Sequence, residues 1–303
     1  MEKNIEIDKS LRWYFHPNEI VRMLRYFHFN SKFDNTIDYT PHYSEKPEIG
    51  VVLGTYGSVP YIDMQLYFLK KINKINKILI HDDCSPEQNK LKKLADEYNV
   101  DFYSTSKRLW HKTNIGSLGD HHTFYYGLKW AIQNNIEILV KLSRRLIPCF
   151  EWKSNLIKLA KNTDGTTFGS YCTKDPFYLR TECIGLNVET WTKNYPTFNF
   201  IWTLENEFPV FAEYWMHEMA KTLSGNNYSE KWWKYIKESK NGYLYSGYTI
   251  WKDILGTNRF NSDNRAGYTL WHTYSTIDDY FKTSQQIFNN KYKKHDFEQI
   301  ENF

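Results

Sequence analysis

From Ile49 onward, short apolar runs alternate with stretches whose apolar positions recur at helical spacing, the pattern of strands and helices taking turns. IGVVLGTYG (49–57) reads as a buried strand running into a glycine turn, and Tyr61 to Ile72 as the helix after it. KILIHDDCSP (77–86) is a second strand closed by two aspartates and a Ser-Pro turn, followed by a helix from Glu87 to Tyr98. VDFYSTS (100–106) is a third strand, His121 to Gln133 a helix, and EILVKLS (137–143) a fourth strand. Beyond Pro148 the order is less regular. A helix near Lys153 to Lys161 precedes strands at Thr167 to Cys172 and Leu179 to Leu186, and helices are predicted at Pro209 to Leu223, Ser229 to Lys237 and Tyr248 to Leu255.

Strands that alternate with helices predict an α/β fold, a mostly parallel sheet covered by helices on both faces. Residues 1–47 are expected to form an N-terminal extension with one amphipathic helix around Asn18 to Phe29, where Ile20, Val21, Leu24 and Phe27 share a face. A main domain over 48–285 divides into a first half, 48–150, and a second half, 151–285, and 286–303 reads as a polar tail.

Composition narrows the picture. The 303 residues are 41% hydrophobic, 18% aromatic and 24% charged, enough for a sizeable core and unlike a disordered or fibrous chain. Thirty-nine Lys and Arg against 35 Asp and Glu give a net charge of +4, too small and too interspersed to argue a nucleic-acid partner. Cys84, Cys149, Cys172 and Cys183 form no CxxC pair, so neither a zinc site nor a disulfide framework is predicted. No apolar run approaches the ~20 residues of a membrane helix, and the opening residues lack the order of a signal peptide. The chain is therefore expected in the cytoplasm, where a peripheral contact with the inner membrane face stays open.

Ligands of an open α/β sheet collect at the carboxyl ends of its strands. Here Thr55 and Tyr56 close the first strand, Asp82 and Asp83 the second, and Lys141, Ser143, Arg144 and Arg145 the fourth. Carboxylates at the end of a buried strand are costly unless they bind something, and an aspartate there can accept an imino N–H or a ribose hydroxyl. Asp82 and Asp83 are thus candidates for holding a nucleoside; the alternative is that Asp83 and Ser85 cap the next helix.

These three strand-loop-helix units, with the Asp-Asp-x-Ser element at 82–85, resemble the nucleotide-binding half of a GT-A glycosyltransferase of the family-2 type, over about residues 48 to 150. The resemblance implies a nucleotide-sugar donor and a carbohydrate acceptor, a surface glycan or glycolipid of polysaccharide biosynthesis. It also exposes departures. Aligning VKLSRRLIP (140–148) on the strand that ends in the family's Asp-x-Asp puts Ser143, Arg144 and Arg145 where metal-binding carboxylates belong. A divalent cation needs oxygen ligands that arginine lacks, whereas a guanidinium supplies the positive charge itself. The expectation is metal-independent transfer without cofactor, Mg²⁺ or Mn²⁺ entering only if this alignment is misplaced. Surface ion pairing is the alternative for the arginines. Phe124 and Tyr125 stand where the family has Arg and Asn, although Gly127 and Ala131 fit.

His121 and His122, near the start of a helix facing the same crevice, are candidates for donor phosphate or sugar, and His272 resembles a late histidine that reaches the diphosphate. An inverting transfer needs a carboxylate to take the acceptor's proton, and Glu205, Glu207 and Glu213 are the candidates. Each has an alternative as a helix-terminal or solvent-facing charge. Rivals to the metal-free transferase stand beside it: a metal-dependent or CMP-sugar transferase, a catalytically silent carbohydrate-binding or scaffold protein of the same fold, and a nucleotidyltransferase, which the missing metal carboxylates and the lack of a Gly-rich phosphate loop followed by Lys disfavour.

Overall fold

The computed structural model describes residues 41–106, 108, 118–144, 146–148, 151–163, 165–172, 178–194, 216, 223 and 277–298. In chain order these form β1 (Ile49–Thr55), α1 (Val59–Lys71), β2 (Lys77–Asp82), α2 (Gln88–Tyr98), β3 (Asp101–Ser104), α3 (Leu118–Gln133) and β4 (Ile138–Ser143). There follow α4 (Lys153–Thr163), β5 (Thr167–Cys172), β6 (Tyr178–Asn187), α5 (Val188–Asn194), α6 (Ile277–Phe288) and α7 (His295–Glu298). The strands make one sheet in the order β3-β2-β1-β4-β6-β5. β1 pairs parallel with β2 and with β4, and β2 with β3; only β6 runs against its neighbours. The mixed α/β, mostly parallel architecture read from the sequence is the one found.

The chain builds outward from β1 to β2 and β3, then returns to the other side of β1 for β4. That reversal opens a crevice at the carboxyl ends of β1 and β4. In register, Thr55 stands beside Asp82, Gly54 beside Ser143, and Asp82 beside Ser104. The candidate strand ends therefore come together because the strands are parallel and of similar length.

Burial on both faces explains the continuous apolar runs: Val51, Val52, Leu53, Ile80, Leu139 and Val140 are all fully enclosed. α3 crosses β1 closely enough that side chains would not fit at the contact. A Cβ on Gly54 would lie 3.0 Å from the Thr123 hydroxyl, and one on Gly127 would lie 3.0 Å from a Val52 methyl.

The segment expected as a polar tail is a correction. Residues up to 298 fold back onto α1, where Tyr61 packs against Tyr280 and Phe297 with ring centroids 4.6 and 5.2 Å apart, and Phe297 is fully buried. Asp63, a buried acid on α1, accepts from Tyr98 (2.6 Å), Tyr292 (2.6 Å) and Lys291 (2.7 Å). Lys291 and Tyr292 of this segment thus serve to satisfy one buried carboxylate. Among the described residues no helix is long and apolar enough to cross a membrane. The expected N-terminal helix and the helices at 229–237 and 248–255 lie outside the described residues, as does all of 209–223 except the buried, helical Met216 and Leu223.

Candidate functional site

The crevice floor is built on the turn from β1 to α1. Gly57 and Ser58 both adopt left-handed backbone, with φ of 67° and 68°, and Pro60 follows in the first turn of α1. Such a turn is held by partners rather than by preference. Thr55 donates its hydroxyl to the Gly57 carbonyl, Gly57 N donates to Asp82 Oδ1 at 3.2 Å, and Ser58 N donates to Glu87 Oε2 at 2.9 Å. Gly57→Ala would add strain at positive φ and place Cβ 2.9 Å from that Glu87 oxygen. It is expected to cost about 1–2 kcal/mol, read as a fall of a few degrees in the thermal midpoint.

Asp82 is fully buried and spent on the frame: besides Gly57 N, its Oδ2 accepts from Ser85 N at 2.9 Å and from the Ser104 hydroxyl at 3.0 Å. The two adjacent aspartates, read alike from the sequence, part company here. Asp83 is bonded at its own N–H to the Thr55 carbonyl (2.9 Å), receives the Thr105 hydroxyl at 3.4 Å, and packs against Gly119 at the start of α3. Helix capping does not account for the pair: α2 begins after Glu87 and has no side-chain cap. Ser85 carries a buried hydroxyl without a hydrogen-bond partner.

Across the crevice, the turn after β4 is fixed from α1 by Gln65, whose buried amide donates to the carbonyls of Ser143 and Leu146, both at 2.7 Å. Arg144 leaves this turn toward β1 and donates to the Tyr56 carbonyl at 3.4 Å and the Ser58 hydroxyl at 3.3 Å. A second guanidinium, Arg108, stacks 4.0 Å from the centre of the Tyr56 ring. Two arginines from separate loops therefore converge on one tyrosine at the switch point.

Lys141 is only 1% exposed and its ammonium meets Asp120 Oδ1 at 2.6 Å. It is thus engaged with the first turn of α3, beneath the crevice. His122 is buried and faces His81 rather than standing at the surface.

Thr55, Tyr56, Asp82, Asp83, Ser143 and Arg144 are brought together, while Arg145, Glu205, Glu207, Glu213, His272 and the side chain of His121 lie outside the described residues. Ser58, Glu87 and Arg108 were missed. The Ser-Val-Pro start of α1 marks Ser58 as a turn residue, but nothing local marks Glu87 or Arg108 as neighbours of β1. The donor set at the end of β4, a hydroxyl and guanidinium, does not suit a hard divalent cation, and the described residues contain no group of three or more His, Cys, Asp or Glu able to hold a metal.

No family model and no curated protein matches the chain. Solved structures similar to it include a cytidylyltransferase from Leptospira borgpetersenii (13% identity, 55% of this chain and 75% of that one, TM-score 0.32). Others are mannosyltransferase PcManGT from Pyrobaculum calidifontis in complex with GDP-Man and Mn²⁺ (13% identity, 58% and 53%, TM-score 0.39) and mouse xyloside xylosyltransferase 1 (11% identity, 66% and 93%, TM-score 0.39). The chain spans about half the length of the mannosyltransferase.

Proposed function

We propose that the chain is a glycosyltransferase that takes a sugar from a nucleotide-sugar donor without a divalent metal. One observation carries the reading: Arg144, from the end of β4, reaches across the switch point to the β1 turn, 3.3 Å from the Ser58 hydroxyl and 3.4 Å from the Tyr56 carbonyl. In this reading Asp83 accepts the N–H of the base while Asp82 holds the loops in place. Arg144, joined by Arg145 and Arg108, takes the diphosphate. A guanidinium fork fits phosphate oxygens and neutralises the leaving group as its charge develops.

In the reaction the acceptor oxygen bonds to the anomeric carbon, and the bond from that carbon to the phosphate oxygen breaks. The nucleoside diphosphate leaves with the electron pair, and the acceptor's proton passes to a carboxylate, for which Glu205, Glu207 and Glu213 remain the candidates in an inverting transfer. His272 is assigned with the arginines to the diphosphate.

The test is thermal shift and slow donor hydrolysis with UDP-, GDP-, dTDP- and CMP-sugars, each with excess EDTA and with added Mn²⁺. Stabilisation and turnover by one nucleotide class in EDTA, reduced about a hundredfold in Arg144→Ala, is the expected result. Response only with Mn²⁺ overturns metal independence, and no response to any donor favours a silent binding protein.

A further inference from the structure

Beside the crevice lies a seam that the proposed chemistry does not use. On β2, His81 Nε2 stands 2.7 Å from His122 Nδ1, and His81 Nδ1 stands 3.1 Å from the Thr123 hydroxyl oxygen. That hydroxyl donates to the Gly119 carbonyl at 2.8 Å. A carbonyl can only accept, so the single Thr123 proton is committed and its oxygen must accept from His81 Nδ1–H. Neutral His81 then presents a bare Nε2, which accepts from His122 Nδ1–H. Every proton points the same way, from His122 through His81 and Thr123 to Gly119. Gly119 is also where Asp83 packs, since a Cβ there would lie 3.4 Å from Asp83 Oδ2.

We propose that His122, His81 and Thr123 form a directional hydrogen-bond relay that seats the first turn of α3 on β2 and thereby sets the position of Asp83. They are positioning residues: none need touch the donor. The assignment of Asp83 to the nucleoside rests on the function proposed above; the relay does not.

The surroundings favour a neutral relay. Tyr103 of β3 stacks on His81 with centroids 5.5 Å apart, and Tyr126 of α3 lies 4.3 Å from the His122 ring. Lys141 of β4, itself paired with Asp120 of α3, opposes protonation of His81, as does His122; Lys129 of α3 opposes protonation of His122. Tyr125 of α3 lies next to His122, and Asp82, the next residue on β2, is turned to its own three donors. Burial is the largest cause, and with these charges it holds His81 down to about 3 and His122 to about 4. A proton on His81 Nε2 would reverse its bond to His122 and force that ring into the Nε2–H tautomer, whereas His122, with Nδ1–H committed to His81, can take a proton only at Nε2.

The test uses the full chain at pH 7.5. Long-range ¹H–¹⁵N spectra are expected to show both His81 and His122 as the Nδ1–H tautomer. His122→Asn, whose amide nitrogen can replace the Nδ1 donor, should keep the His81 tautomer and the amide protection of Thr123 to Gly127. His122→Leu should lose that protection at least tenfold and weaken binding of the free nucleoside diphosphate about tenfold, with Asn restoring both. Thr123→Ser and Thr123→Val form a second pair with the same expected contrast, should the leucine variant not fold. An Nε2–H tautomer at His81, or equal behaviour within both pairs, overturns the relay. If the wild type binds no nucleotide, the functional reading fails, and the tautomers and exchange rates still decide the relay.

Discussion

Replacing Asp82 with alanine is expected to lower the thermal midpoint by roughly 10 °C, whereas Asp83→Ala should cost about a third of that and abolish nucleotide binding. The two neighbours differ because of what their oxygens face. Truncating Asp82 strands two buried donors, Gly57 N and Ser85 N, and removes the better acceptor of the half-buried Ser104 hydroxyl. Each unsatisfied donor costs about 1–3 kcal/mol, partly recovered if water enters, so a total near 4 kcal/mol is the expectation. Asp82→Asn retains one acceptor oxygen and should fall between wild type and alanine. Differential scanning fluorimetry with and without nucleotide separates the outcomes. A binding defect in Asp83→Ala at near-native stability supports the division of labour, and equal destabilisation of the two variants refutes it.

Acid should unfold the protein over a defined window. The two imidazoles have ordinary values near 6.5 when unfolded and are held to about 3 and about 4 in the fold. Between pH 6.5 and about 4, the unfolded chain therefore binds protons that the native chain refuses. Their contribution is fully present above pH 6.5 and is lost as pH falls toward the depressed native values. His81 alone contributes a slope of about 1.4 kcal/mol per pH unit. His122, less depressed than His81, contributes over a narrower pH window. His122→Asn removes one titrating group and should flatten the dependence between pH 6.5 and 4.5. Urea unfolding at half-unit pH steps checks this, and a native midpoint that does not change from pH 7 to 4.5 would rule out a neutral buried pair.

The first half of the fold was legible because its strands are buried on both faces and its helices on one. Two different periods then run along the chain, and β1 through β4 fall within a few residues of their expected positions. The crevice was legible for a related reason: parallel strands of similar length place their carboxyl ends side by side, so polar residues after each apolar run must share a neighbourhood. The C-terminal segment was misread because KYKKHDFE is polar by composition. Its placement depends on a few scattered aromatic side chains, Phe288 and Phe297 among them, and on Lys291 and Tyr292 finding a carboxylate more than 200 positions earlier, and no local period records either.

The division within the site follows the same line. Residue types and strand ends were in the sequence: a pair of aspartates at the end of β2 and a pair of arginines after β4. Which aspartate serves the frame is a matter of a few ångströms, decided when the β1 turn delivers Gly57 N to Asp82. His81 and His122 are 41 positions apart, and they meet because α3 crosses β1 where glycines allow close approach. Arg108 reaches Tyr56 across 52 positions for want of any sequence signal at all. Period and residue type are properties of short stretches of chain, whereas hydrogen-bond partnership belongs to the packed whole.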